Sequence, residues 1–249
     1  MERERLEMSK LKIRPKNDNA GFTLVELMIT LVIAGIISAA LYATYLAQQR
    51  SYIAQEAVAE MQQNIRAAMM LMTRDIRMAG YDPMGGSGAT IVSASVNQLR
   101  FTMDLNADGD TSDANEDVTY GFGGGDADSN GNQDDDNNAD GIADAGYADL
   151  GRNAGGGFQP VADNIQAIEF QYLDGSGATT TVPANIRAVR ISILARASRP
   201  DRKFTNTKVY TPASGTPWDL NGAAAGNAAN DNFRRRLLIT TIQCRNMGL

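Results

Sequence analysis

Between Phe22 and Ala79 the chain contains no proline, and from Leu27 to Gln49 it contains no charged residue. Most residues up to Leu46 are apolar. About 20 such residues suffice for a helix to span a bilayer. A run of this length leaves few folds open other than a helix that enters a membrane or an equally apolar assembly. One carboxylate, Glu26, stands at its start. A charged group at membrane depth costs roughly 2.5–3.5 kcal/mol on insertion scales, so this acid calls for a partner and a purpose.

The helical pattern continues past the apolar run. Ile53, Ala57, Met61, Ile65, Ala68, Met72, Ile76 and Ala79 recur at steps of three and four, which is one face of an amphipathic helix. Gly80 suits a C-cap, and Pro83 forbids continuation. The spacing predicts a single helix over Phe22–Ala79, roughly 87 Å long at 1.5 Å per residue. Its first half would span the membrane and its second half would pack on a sheet. Met69, Met70 and Met72 fit core filling better than a soft metal site. Gly35 and Ser38 are either close-contact points between helices or neutral passengers.

Residues 1–21 form a polar leader with a net positive charge, which places it in the cytoplasm and the bulk of the chain outside. No small-residue cleavage site follows the apolar run, as a secretory signal would require. The expected organisation is a leader at 1–21, a membrane or filament-core helix at 22–49, its amphipathic continuation at 50–80, and a β-rich head at 81–249. An acidic insertion at 104–149 interrupts that head. The chain has no histidine and one cysteine, Cys244. A disulfide within the chain is therefore impossible, and the commonest general base and metal ligand are missing. No Ser/His/Asp, Cys/His or zinc constellation exists, so an enzyme is not expected.

Gly21-Phe22-Thr23-Leu24-Val25-Glu26-Leu27-Met28-Ile29, behind a basic leader, resembles the class III signal of type IV pilins and type II secretion pseudopilins. The resemblance implies that a prepilin peptidase cuts between Gly21 and Phe22 and that the new Phe22 amine is methylated. It also implies that Glu26 is an assembly contact. Inside a filament core, the amine of a neighbouring Phe22 would supply the cation that a buried carboxylate needs. One such pair can fix axial register that apolar packing leaves loose. Many major pilins carry a helix-kinking proline in this span, and this chain does not.

Beyond Gly80, short alternating segments predict strands at Asn97–Met103, Asp117–Phe122, Ala167–Leu173, Ala188–Ala195 and Leu237–Gln243. One long helix followed by such strands gives an α+β class with an antiparallel sheet. Thr211–Asn232 reads as a long surface loop. The stretches from Gln159–Ile165 to Tyr172–Asp174, and from Arg236 to Asn246, resemble the body of PilW-type minor pilins and, in the same layout, the J-type pseudopilin of type II secretion.

The head has one local peculiarity. Between Asp104 and Asp149 there are 14 acidic residues and no Lys or Arg. Asp104, Asn106, Asp108 and Asp110 alternate, with Gly109 at the sixth position. Asp126, Asp128, Asn130 and Asp134 repeat the pattern, as do Asp136, Asn138, Asp140 and Asp144. Alternate oxygen ligands with a glycine at the sixth position are the opening of a calcium loop. The usual Glu at the twelfth position is replaced by Asn115, with Glu116 one residue later. The tandem form resembles the aspartate-rich repeats of thrombospondin type 3, and no flanking helices point to a true EF-hand. Structural Ca²⁺ is the expected ion, and a solvated acidic loop is the alternative.

These readings converge on a non-catalytic minor pilin of the bacterial inner membrane and then of a pilus fibre. Its partners would be prepilin peptidase, other major and minor pilins, and an inner-membrane assembly platform, and it would help to prime pilus assembly. A J-type pseudopilin is the first alternative. A membrane-tethered calcium-binding adhesin that never polymerises is the second.

Overall fold

The computed structural model describes residues 21–122, 136, 138–144, 146–222 and 226–248. It divides into two compact units, Met1–Arg50 and Ser51–Leu249. One helix, α1 (Leu24–Met78), runs through the boundary between them. The expected helix of Phe22–Ala79 is thus trimmed by two residues at its start and one at its end.

In the first unit α1 is apolar on all sides. Its most apolar 18-residue window has a mean hydropathy of 2.4, and none of that window is buried within the chain. In the second unit α1 becomes one-sided. Ala57, Met61, Ile65, Ala68, Met69, Met72 and Ile76 are buried, while Arg66, Met70, Arg74 and Arg77 face out. Met69 and Met72 fill the core as their softness suits, whereas Met70 is 75% exposed. The helix ends where the sequence predicts. Gly80 adopts a φ of +76°, donates its N–H to the Thr102 carbonyl at 2.9 Å, and leaves no room for a Cβ beside Met247.

Among the described residues seven strands follow: β1 (Ile91–Ala94), β2 (Gln98–Thr102), β3 (Asp117–Phe122), β4 (Ala148–Asn153), β5 (Phe158–Leu173), β6 (Ala188–Arg196) and β7 (Arg235–Gln243). They pair in chain order, each antiparallel to the next, so the sheet is a simple meander. One face carries Leu99, Phe101, Val118, Tyr120, Leu150, Ile168, Phe170, Ile191 and Ile193 into a common core with α1. This is the α+β arrangement of a long helix on an antiparallel sheet.

Three strand segments escape the sequence pattern. β1 is only four residues long. β4 reads ADLGRN and owes its place to Gly151, where an added Cβ would meet the Phe158 ring at 2.7 Å. β5 begins nine residues before the expected Ala167, because Pro160 and Asn164 look like turn residues. Pro160 is tolerated because that part of β5 pairs with β4 alone. The Thr211–Asn232 loop is also more than surface. Trp218, together with Tyr210 just before the loop, is buried against Ala167 and Leu194, giving the opposite face of the sheet a small core of its own.

One polar residue interrupts the buried face of α1. Asp75 is 4% exposed and accepts the Tyr120 hydroxyl at 2.8 Å and the Arg152 Nε at 2.8 Å. It thereby ties the helix to β3 and β4. Burial, and next the Asp75 charge, push the Tyr120 hydroxyl well above its ordinary pKa, so it remains a donor. Replacing Asp75 with Ala strands a mostly buried guanidinium. Removing one partner of such a pair costs about 3–5 kcal/mol. Urea unfolding should show that loss for Asp75→Ala, and a much smaller one for Arg74→Ala, because Arg74 reaches Asp75 from solvent.

Candidate functional site

Two regions hold the candidate functional residues. At the start of α1, Phe22 is 87% exposed. Thr23 and Glu26 form a capping box. Glu26 Oε2 accepts the Thr23 backbone N–H at 2.9 Å and the Thr23 hydroxyl at 3.0 Å, while the Thr23 hydroxyl oxygen accepts the Glu26 N–H at 3.2 Å. The Thr-x-x-Glu spacing that signals this motif is plain in the sequence, yet a reading centred on the membrane charge passes over it. The box satisfies helix-end donors and holds the carboxylate at the N-terminal end of the helix dipole. Only one carboxylate oxygen is used among the described residues; Oε1 stays available for a cation. Residues 1–20 of the leader lie outside the described residues.

The acidic insertion forms two similar loops within the described residues. Both read Asp-x-Asn-Ala-Asp-Gly. In the first, Asp104 accepts the N–H groups of Ala107 at 2.6 Å and Gly109 at 3.1 Å. Asn106 accepts from Asp108, and Asp108 from Asp110. In the second, Asp136 accepts from Asp140 at 3.0 Å and Gly141 at 2.9 Å, Asn138 from Asp140, and Asp140 from Ile142. The fourth and sixth residues of each loop take positive φ: Ala107 +63° and Gly109 +89°, Ala139 +59° and Gly141 +82°. The loop expected at Asp126, Asp128, Asn130 and Asp134 lies outside the described residues.

Glu116 closes the first loop. It is 1% exposed, with Oε1 accepting Leu105 N–H at 2.8 Å and Oε2 accepting Asp113 N–H at 3.3 Å. Asn115, at the position where a ligand is expected, turns away instead and accepts Arg152 Nη1 at 3.2 Å. The acid one residue out of step therefore does the closing. The second loop is stitched to the sheet. Asn97 donates to Asp136 at 2.9 Å, Ile168 N–H donates to the Gly141 carbonyl at 2.7 Å, and Ala143 N–H donates to the Gln166 carbonyl at 2.9 Å. Burial raises the Asp136 pKa against the hydrogen bonds that lower it. The exposed Asp110 is held below the usual carboxylate range by the N–H and hydroxyl of Ser112.

Among the described residues, no three acidic side chains converge on a common point. The carboxylates instead point at backbone N–H groups. Such bonds do not exhaust them, since a carboxylate offers about four lone-pair sites. Cys244 is buried and its thiol is pushed up to about 12 by that burial, which leaves no reactive thiolate at neutral pH.

A helix apolar enough to cross a membrane, begun by Gly-Phe-Thr-Leu-Val-Glu and continued into an antiparallel head, defines the pilin class of filament subunit. The prokaryotic N-terminal methylation motif matches residues 16–42. The type IV pilus-assembly protein W family matches residues 95–246, and the chain belongs to that family. It is a type IV minor pilin that takes part in pilus assembly, in a family of structural subunits. The comparisons do not favour the pseudopilin reading. A type IV-like pilin from Thermus thermophilus is similar at 16% identity, covering 76% of this chain and 98% of its own, with a TM-score of 0.44. No curated protein sequence matches.

The two loop glycines give a contrast that can be measured. A Cβ at Gly109 meets nothing within 4 Å, whereas one at Gly141 would sit 2.2 Å from the Ile168 carbonyl oxygen. Gly109→Ala should cost only the left-handed backbone penalty, about 1–2 kcal/mol. Gly141→Ala should cost clearly more and lower the thermal midpoint further, because the loop must detach from β5.

Proposed function

We propose that the chain is a minor pilin cut between Gly21 and Phe22 by prepilin peptidase, methylated on the Phe22 amine, and drawn into the pilus by Glu26. The carrying observation is that the methylation motif coincides with an apolar helix surface that no other described residue of the chain covers. In the membrane, lipid covers that surface. In a filament, the helices of other major and minor pilins do so, with no proline to break α1 on transfer. Basic residues before the helix orient the head away from the cytoplasm, and the inner-membrane assembly platform receives the processed subunit.

Glu26 serves twice in this reading. Oε2 is committed to Thr23, and Oε1 is left to meet the Phe22 amine of a neighbouring subunit. That amine exists only after cleavage, so processing creates the counter-charge that assembly needs. Mass spectrometry of the mature protein should find a chain beginning at methyl-Phe22. Gly21→Leu should retain the leader. Glu26→Gln keeps side-chain oxygen for the cap but removes the charge, and it should leave membrane insertion intact while abolishing incorporation into pili. Normal incorporation of Glu26→Gln would sink the assembly role.

Calcium is the ion that suits the acidic loops, since hard oxygen donors select it. Asp104, Asn106, Asp108 and Asp110, closed by Glu116, offer one donor set. Asp136, Asn138, Asp140 and Asp144 offer a second, and Asp126, Asp128, Asn130 and Asp134 a third. The resident ion would offset mutual repulsion among these carboxylates and brace the insertion. Adding millimolar calcium should raise the thermal midpoint of the chain by several degrees, and chelator should reverse the shift. Asp104→Ala with Glu116→Ala should remove the first loop's share of it. An unchanged midpoint with and without calcium would leave the loops held by their N–H bonds alone.

A further inference from the structure

The last strand of the meander ends on an open edge. Cys244 N–H donates to the Arg187 carbonyl, and Ala197 N–H donates to the Arg234 carbonyl. In an antiparallel ladder, residues alternate between inward- and outward-directed backbone groups. Inward pairing at 234 and 244 therefore turns Arg235, Leu237, Ile239, Thr241 and Gln243 outward. Among the described residues, no backbone group lies against those outward N–H and carbonyl groups. The central stretch Leu237–Gln243 has no charge, no proline and no bulge against β6. Ile239 at its middle is 44% exposed. Natural sheets ordinarily blunt such an edge or cover it.

Beside this edge runs a groove of about 900 Å³ between β7 and the second half of α1. Its apolar wall is Met69, Met70, Leu71, Met78 and Tyr81. Its rim is cationic: Arg74, Arg77 and Arg245, with no acidic residue among the described lining residues. Among the described residues, neither Arg77 nor Arg245 has an ion-pair partner. Arg236 lies unpaired at the other end of β7 by the same count.

We propose that this edge and groove receive an extended, acidic segment of another protein subunit, which adds to β7 as an eighth strand. Main-chain bonds to the outward groups of Leu237, Ile239 and Thr241 would supply affinity. Alternate apolar side chains would rest on the methionine wall, and flanking carboxylates would meet Arg77 and Arg245. The charge pattern argues against a second copy of β7 as the occupant. Antiparallel self-pairing would set the arginines that begin one strand against Arg245 of the other. The proposal extends the minor-pilin reading to the kind of surface that the head presents to a partner, and it does not depend on Glu26.

The test uses the full chain in detergent micelles and a fluorescent nine-residue peptide, Glu-Ile-Glu-Val-Thr-Val-Glu-Ile-Glu, with a Lys-for-Glu version as the control. Fluorescence anisotropy should detect the acidic peptide and give at least tenfold weaker binding for the basic one. Ile239→Pro removes an outward N–H and spares the β6 ladder, so circular dichroism should stay native while peptide binding falls at least tenfold. Arg77→Glu with Arg245→Glu should weaken the acidic peptide and strengthen the basic one. Equal binding by Ile239→Pro, or no binding by the folded wild type, would overturn the proposal. Sedimentation showing a head-to-head dimer that Ile239→Pro dissolves would assign the edge to a second copy instead and overturn it as well. Glu26→Gln should bind the peptide normally, which separates this outcome from failure of the assembly reading.

Discussion

A single unbroken helix has to satisfy two different surroundings. Over its first part it offers apolar side chains in every direction, and no other part of the described chain covers them. Over its second part it buries one face beneath a sheet and leaves arginines on the other. Nothing inside the helix marks the change except composition, because no proline or glycine kink divides it at that point. The two environments are therefore written in side chains alone, on a backbone that is continuous through both.

Helix and sheet are joined by apolar packing and by polar contacts, among which the buried one at Asp75 has a different character. Met61, Ile65, Met72 and Ile76 would tolerate small slips along the sheet, since oily surfaces are forgiving of register. Asp75 does not. It must meet Tyr120 and Arg152 together, and Arg152 in turn holds Asn115 at the edge of the acidic loop. Such a pair contributes little net stability, because desolvation offsets most of the attraction. Its contribution here is position: one helical residue is held to two strands and, through Arg152, to the loop beyond them.

Much of this was legible from residue order. The helix, its Gly80 terminus and the strands at Asp117–Phe122 and Ala188–Ala195 followed from spacing and propensity, and the prepilin-like start from its resemblance to a known signal. What stayed hidden depended on contacts between distant residues. β4 is a strand because Phe158 needs the space at Gly151, and the first half of β5 is a strand because β4 lies beside it. Trp218 lies in a glycine- and alanine-rich segment, and only the sheet behind it makes it core. Asp75 stood at a helical position with an ordinary charge, and its burial required Arg152 to arrive from 77 residues away. Among the site residues, Gly21, Phe22 and Glu26 were readable as a motif. The closing role of Glu116 was not, because loop geometry rather than residue count decides which acid turns inward.

The meander order has a consequence for how this head can change. Phe122 and Leu150 are partners across β3 and β4, so the part of the acidic insertion between them, residues 123–149, begins and ends at neighbouring points. To the sheet it is a long hairpin connection. Closing about 25 residues in place of a two-residue turn costs only about 2 kcal/mol of chain entropy, because that cost grows with the logarithm of length. The sheet can thus keep its strand order while the excursion lengthens, shortens or exchanges its chemistry. Among the described residues it is tethered where Gly141–Ala143 lies along β5 and where Asn97 donates to Asp136. The connection can therefore change as a module, and new surface properties can arise there without rebuilding the helix or the sheet.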